Sequence, residues 1–307
     1  MAWVGRMDLR QLEYFVHVAD AGGFSRAAQL LAVAQPALSR QIRSLEVELR
    51  QTLFLRNGRG VTLTPAGGRL LAHARGILQQ VQSARADLDE SRTAPVGRVA
   101  VGLPPTVGRL LSGPLVAEFR SRFPRADISI VDGLTVHILE WLAHGRVDVG
   151  VVYNPPSSPN VELVPLAEQP LCLIGPAAAG RGAGGRTPVT LKSLPEFPLI
   201  IPSRPHTVRM LVDSRLAALG LKPQIALEVD GVGAILDLVQ RGHGFAVLAR
   251  TALLEAGDGA KLVARLIVRP ALRSVMAVAT SAQRPLTRMA QEAVSLLQRL
   301  GPPVLSR

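Results

Sequence analysis

Leu38, Ile42, Leu45 and Leu49 recur at i, i+4, i+7 and i+11 within the stretch Gln35–Leu49, a spacing that fits one apolar stripe on an α-helix. Pro36, Ser39, Arg40 and Arg43 fall at i, i+3, i+4 and i+7, roughly on the opposite side. The preceding run, Phe24-Ser25-Arg26-Ala27-Ala28-Gln29-Leu30-Leu31, reads as a shorter helix joined to the first by a tight turn. Alanines at 27 and 28 let the two helices cross at short distance, as a compact helix-turn-helix requires. The second helix can anchor its apolar side in a core and lay its polar side in a DNA major groove. Arg40, Arg43, Ser39 and the Gln35 amide are the groups for base and phosphate contacts, beside Pro36.

The flanking segments are consistent with this. A first helix is expected from Leu9 to Asp20, with Leu9, Leu12, Phe15, Val16 and Ala19 on one face and Gly22-Gly23 as its stop. Asp8 with Gln11 three residues on has the form of a capping box. Ser25 is expected to cap the second helix, on the DNA side. Phe54–Thr64 is expected to form a two-stranded wing around Asn57-Gly58-Arg59-Gly60, with Arg56 and Arg59 near its tip for phosphates or a minor groove. Thr64-Pro65 then starts a helix running to about Ser91, about 40 Å long at 1.5 Å per residue. On it Leu70, Ala74, Ile77, Val81, Ala84 and Leu88 alternate in steps of four and three, a heptad seam. Such a seam serves either packing on the chain's own domains or pairing with the same helix of a second subunit. A palindromic DNA site calls for the second.

The helix-turn-helix residues resemble those of LysR-type transcriptional regulators. The likeness continues through Leu53-Phe54-Leu55-Arg56 and Gly58-Arg59-Gly60-Val61-Thr62-Leu63-Thr64-Pro65-Ala66-Gly67, and is dense from Met7 to about Ser91. It implies a dimer or tetramer that reads a dyad operator on double-stranded DNA. It also implies RNA polymerase as a partner at target promoters, and an effector domain like periplasmic binding proteins with a ligand between its halves.

Composition bounds the alternatives. A chain of 307 residues with 48% hydrophobic content is no disordered chain and has room for two or three domains. Its net charge of +12 suits an anionic partner. That excess is spread out, with 12 Arg against 8 acids in residues 1–92 and 23 Lys and Arg against 15 acids beyond, so pattern rather than charge carries the DNA argument. Met1–Arg6 has no signal-peptide core and no apolar run suits a bilayer, so the expected location is the cytoplasm, with no membrane partner. Met1–Arg6 reads as a disordered extension or an upstream start, with Met7 the alternative first residue. The lone Cys172, in the apolar run Leu171–Ile174, reads as a buried structural thiol.

Beyond a hinge at Thr93–Gly97, strands and helices alternate. Arg98–Gly102, Asp127–Val131 and Val147–Tyr153 are expected strands, with helices at Val107–Arg122 and Val136–Gly145 between them, a βαβαβ unit of parallel strands. A second set follows: strands Leu199–Ile201, Ile225–Val229 and Phe245–Leu248, with helices Val208–Leu219 and Val232–Arg241. Ala177–Pro188 reads as a surface loop, and a last helix, Pro285–Leu300, is expected to return to the first unit. Ligands in such sheets bind beyond the strand ends, at helix N-termini. The candidates are Thr106 after the first strand, Thr135 after the second, and Ser203, Arg204, His206 and Thr207 ahead of a helix, with Tyr153 and Phe245 as possible lining. Each threonine serves plain capping equally well. Arg204 is the expected anion-binding cation, and His206 adds a titratable imidazole. Ser203–Asp213, Trp141-Leu142 and Val152-Tyr153-Asn154-Pro155-Pro156 resemble the nitrogen-assimilation-control branch of the LysR family, which implies a role in nitrogen or related metabolism.

The expected fold is thus α+β and multidomain. It comprises a winged helix-turn-helix domain (1–64), a linker dimerisation helix (65–92) and a two-subdomain α/β effector domain (93–307; subdomain I 93–164 with 271–307, subdomain II 165–270). The six histidines show no metal-ligand spacing, and there is no nucleophile elbow or phosphate loop, so neither an enzyme nor a cofactor is expected. The expectation is a sequence-specific regulator responsive to an anionic metabolite, homodimeric or homotetrameric. A sequence-indifferent architectural DNA binder and a solute-binding protein are the alternatives.

Overall fold

The computed structural model describes residues 7–57, 60–88, 97–177, 187–256 and 261–305. The chain divides into two compact units, Met1–Gly97 with Trp141–Val147, and the remainder.

The first unit holds α1 (Leu9–Ala21), α2 (Phe24–Leu30), α3 (Gln35–Leu49), β1 (Phe54–Asn57), β2 (Gly60–Leu63) and α4 (Pro65–Leu88). Asp8 closes the expected capping box with Gln11, and Gly22 ends α1 in the left-handed region at φ 62°. The buried face of α1 is Gln11, Leu12, Tyr14, Phe15 and Val18. Val16 and Ala19 pack at its margin, and Leu9, expected inside, is 41% exposed because it stands in the first turn beyond the core's edge. Helix α2 is capped by Gly23, not by Ser25. Phe24 is buried against Phe54, with ring centroids 5.9 Å apart, so the helix opens two residues earlier and Ser25 sits exposed in its first turn.

Side-chain bonds from distant residues fix the wing. Glu46 at the end of α3 accepts from the backbone N–H groups of Leu53 (2.7 Å) and Phe54 (3.3 Å). The Val61 N–H donates to Gly22 O at 3.2 Å, pinning β2 to the α1–α2 corner. Thr64 caps α4 as expected, its Oγ1 accepting from Gly67 N–H at 2.9 Å and donating to Thr52 O at 2.7 Å. Leu70, Leu71, Ala74, Ile77 and Leu78 of α4 then join the core of the helix-turn-helix. Half of the heptad seam therefore serves packing within the chain. Only Val81, half-buried, and Ala84, exposed, remain beyond it among residues whose side chains are described; the Leu88 side chain lies outside them.

Two adjacent glycines in α4 should respond oppositely to alanine. A Cβ on Gly67 would lie 2.2 Å from Leu53 O, a backbone atom, whereas nothing lies within 4 Å of one on Gly68. Gly68→Ala should gain up to about 1 kcal/mol from helix propensity. Gly67→Ala should lose about 1–3 kcal/mol, because backbone displacement outweighs the same gain. Urea unfolding of the two variants checks the signs.

The second unit is a mixed sheet with helices on it. Its first part comprises β3 (Gly97–Leu103), α5 (Pro105–Arg122), β4 (Ala126–Asp132), α6 (Thr135–His144), β5 (Val149–Tyr153) and β6 (Val161–Pro176). The second comprises β7 (Val189–Thr190), β8 (Leu199–Ile201), α7 (Thr207–Ala217), β9 (Ile225–Glu228), α8 (Val232–Gln240) and β10 (Ala246–Ala249). β11 (Leu262–Val268), β12 (Arg273–Ser281) and α9 (Arg288–Leu305) complete it. The strand order is β4-β3-β5-β12-β6-β11-β7, with β10 also on β6. β3 and β5 run parallel as expected, as do β8 and β9, but β12 is antiparallel to both β5 and β6.

The 16-residue β6 organises this unit. Its first part pairs with β12 and its last residues with β10 and β11. Leu166, the extra residue at a bulge opposite Met276 and Ala277, enters one core with β3, α5 and α9, while Leu171 enters another with β8 and α7. Cys172 is buried as expected, and burial pushes its thiol up. The expected features at Met1–Arg6, at Thr93–Val96, in most of Ala177–Pro188 and at Gly58-Arg59 lie outside the described residues.

Candidate nucleic-acid interface and ligand cavity

Helix α3 divides as its spacing predicts. Leu38, Ile42 and Leu45 are buried, while Gln35, Pro36, Arg40 and Arg43 are exposed and Ser39 is half-buried. Pro36 sits in the first turn, where its missing N–H costs nothing. The exposed surface also carries Gln41, Ser44 and Val47. These three follow from the same periodicity. Arg56 lies on β1, but its side chain, like Arg59, is outside the described residues.

In the second unit a cavity of about 150 Å³ opens where four helices begin. Pro105 and Thr106 of α5, Leu134 and Thr135 at α6, His206 to Val208 at α7, and Gly231 and Val232 at α8 all line it. Helix N-termini carry N–H groups without intrahelical partners and the positive end of a macrodipole, so their convergence favours an anion. The walls between them are apolar, with Leu171, Leu248, Ala249 and Ala252. Tyr153 lines the cavity as expected. Phe245 does not; it stacks edge-on with Phe197 at 5.0 Å in the neighbouring core.

Four of the six expected ligand residues line this cavity: Thr106, Thr135, His206 and Thr207. The Thr135 hydroxyl is engaged in both directions, accepting from Tyr153 N–H at 2.9 Å and donating to Tyr153 O at 3.4 Å. Ser203 and Arg204 stand elsewhere. Ser203 binds Asp230 through its N–H (2.9 Å) and its Oγ (2.6 Å). The Arg204 guanidinium pairs with Asp213 at 2.6 Å, turned aside by a carboxylate one helical face along α7. The expected cation is therefore absent from the lining, and among the described residues Asp230 is the one formally charged group that lines it. Asp230-Gly231 was legible, since it follows a strand and opens a helix as Thr106 does. Gln169 of β6, also in the lining, carried no such signal.

His206 caps α7, its Nδ1 accepting from Val208 N–H at 3.2 Å. A ring nitrogen that accepts is unprotonated, which leaves Nε2–H as the donor of the neutral ring. Burial holds its pKa below the ordinary 6.5, against the opposing pull of the Asp230 carboxylate. The unfolded chain therefore takes up the proton first on acidification. The stability this residue contributes is whole above about pH 6.5 and is lost as pH falls through the lower folded value. Wild-type protein should lose more stability than His206→Asn between about pH 7.5 and about pH 5, since asparagine caps without titrating. Equal losses in urea titrations would contradict this.

A helix with one face buried and a polar one presented, together with a small cavity ringed by helix starts, defines a ligand-responsive DNA-binding regulator. Residues 9–68 match the family model for the bacterial regulatory helix-turn-helix protein, lysR family, and residues 92–301 match the LysR substrate binding domain. The chain belongs to the LysR family of transcriptional regulators. It is 32% identical to the nitrogen assimilation regulatory protein nac of Escherichia coli K12, over 80% of this chain and 79% of that one. With nac of Klebsiella aerogenes it shares 30% identity over 95% and 94% of the two chains. Among solved structures, full-length CbnR complexed with its target DNA is 26% identical, with a TM-score of 0.70 over 96% of this chain and all of that one (100%). Among the described residues no helix is long and apolar enough to cross a membrane.

Proposed function

We propose that this regulator reads a dyad operator as a homodimer or homotetramer and responds to a small anionic metabolite held in the cavity. The observation that carries the reading is the exposed polar face of α3 over its buried apolar stripe. Gln35 and Arg40 would read base edges, Ser39 and Arg43 flank them, and Ser25, Arg56 and Arg59 would meet backbone or minor groove. The division of labour follows 1–64 for DNA, 65–92 for subunit pairing and 93–307 for the effector, in a cytoplasmic protein acting on RNA polymerase at its promoters. Pairing through α4 would use the seam beyond Ile77, since Leu70, Ala74 and Ile77 pack within the chain. The effector shifts the DNA-bound equilibrium only by its differential affinity for the two states. CbnR, solved on its target DNA, supports the DNA partner.

Arg40→Ala tests the reading. It should lower the ratio of operator to random-DNA affinity by about 1–3 kcal/mol, the worth of one good base contact. An equal fall on both DNAs would make Arg40 a phosphate contact and contradict its place in base readout.

A further inference from the structure

Helix α6 belongs to both compact units. Its start, with Leu134 just ahead of it, lines the cavity of the second unit, while Trp141–Val147 groups with α4 in the first. Ten residues at 1.5 Å each make it about 15 Å long. The two bonds between Thr135 and Tyr153 fix its start to the end of β5.

The far end of α6 approaches α4 closely. Gly145, at φ 70°, closes the helix; the Arg146 N–H donates to Trp141 O at 2.8 Å and the Gly145 N–H to Leu142 O at 3.2 Å, the form of a Schellman turn. His144 O abuts Gly76 of α4, where a Cβ would overlap that oxygen and lie 2.8 Å from His144 C. The His73 and His144 rings meet edge to face at 5.0 Å, and the Arg146 guanidinium lies 4.5 Å over the Trp141 ring. Glycine inside a helix is destabilising relative to alanine, so its place at this buried position of α4 has its reason in the contact. Ala74, two residues before Gly76 and so on the other side of α4, packs in the helix-turn-helix core.

We propose that α6 is a strut that passes the state of the cavity to α4, and that Gly76 admits the contact through which it acts. The proposal rests on the reading of the cavity as the effector site. A short helix shifts as one piece, so a displacement at Leu134 and Thr135 reappears at His144. A contact made by backbone on backbone has no side chain to absorb that displacement, so α4 and the core packed on it follow.

Gly76→Ala tests the joint. The variant should fold, because alanine favours the helix and the core face of α4 is untouched. Hydrogen exchange at Gly145, Arg146 and Val147 should accelerate at least about tenfold, with the amides of α1 and α3 unchanged. Unchanged exchange at those three residues would overturn the joint. Affinity for the tightest-binding genomic fragment then reads the coupling in a double-mutant cycle. Leu134→Ala, which removes a cavity wall at the start of α6, should change that affinity at least about fivefold in the native chain and less than about twofold alongside Gly76→Ala. Leu134→Phe takes its place where the alanine variant does not fold. An equal change in both backgrounds would overturn the strut and leave the effector site standing. No change in either would overturn the effector site, and the strut with it. Gly76→Ala unfolding the first unit, or abolishing DNA binding by itself, would also overturn the proposal, since the contact would then serve the fold of that unit.

Discussion

Phe15→Ala should cost the DNA-binding domain about 3–5 kcal/mol, the range for truncating a buried phenylalanine. Phe15 is fully buried, its ring 5.2 Å from that of Phe54, which in turn meets Phe24 at 5.9 Å. Those three rings tie α1, α2 and β1 together. The loss is a large part of the about 5–15 kcal/mol that stabilises a typical domain. Phe15→Leu, which keeps most of the volume, should cost less than about 1.5 kcal/mol. Hydrogen exchange of α1 and α3 amides measures both, and a loss below about 1 kcal/mol for alanine would contradict the packing described.

The second large effect concerns Arg209. Its guanidinium, 6% exposed, donates through Nε to Asp213 at 2.9 Å and through Nη1 to Glu228 at 2.6 Å. Breaking a buried pair costs about 3–5 kcal/mol because the partner charge stays behind. Here the Glu228 side chain is 51% exposed and can turn to water, while Asp213 keeps Arg204, so the expected cost of Arg209→Ala is about 2–4 kcal/mol. Arg204→Ala, whose side chain is 63% exposed, should cost less than about 1 kcal/mol. Thermal unfolding of the two variants reads the contrast, and equal losses would contradict it. Arg209 also reaches Pro202 O at 3.5 Å, just ahead of the loop that carries His206 to the cavity, so its loss should weaken ligand binding too.

What was legible in the sequence was local. The Asp8–Gln11 box, the stop at Gly22 and the Thr64-Pro65 start are decided by residues a few positions apart, and the structure has all three. The two faces of α3 follow from periodicity alone. What was not legible depends on partners distant in the chain. Strand β6 contains Pro165 and Pro170, and both pair with β12 more than a hundred residues on. Proline at such positions is compatible with a ladder where its missing N–H is not needed. Helix α9 runs past its expected end at Leu300 because Gly301 serves close packing there. A Cβ at that position would come 2.7 Å from Leu166 Cδ1.

The ligand cavity shows the same division. Strand ends and helix starts located Thr106, Thr135, His206 and Thr207, since that rule needs only element order. The orientation of Arg204 depended on Asp213, nine residues along the chain. The place of Gln169 depended on Leu305, 136 residues away. The Arg204 guanidinium thus stands on Asp213 and outside the lining, where the starts of four helices remain.

The measurement that tests the central claim most directly is binding of the purified full-length protein to genomic fragments against random DNA at one fixed salt concentration. Footprinting of the tightest fragment would follow. The account predicts at least about a thousandfold preference and a protected dyad whose half-sites lie one helical turn, or a multiple of it, apart. Equal affinity for genomic and random fragments, with no protected dyad, would contradict it.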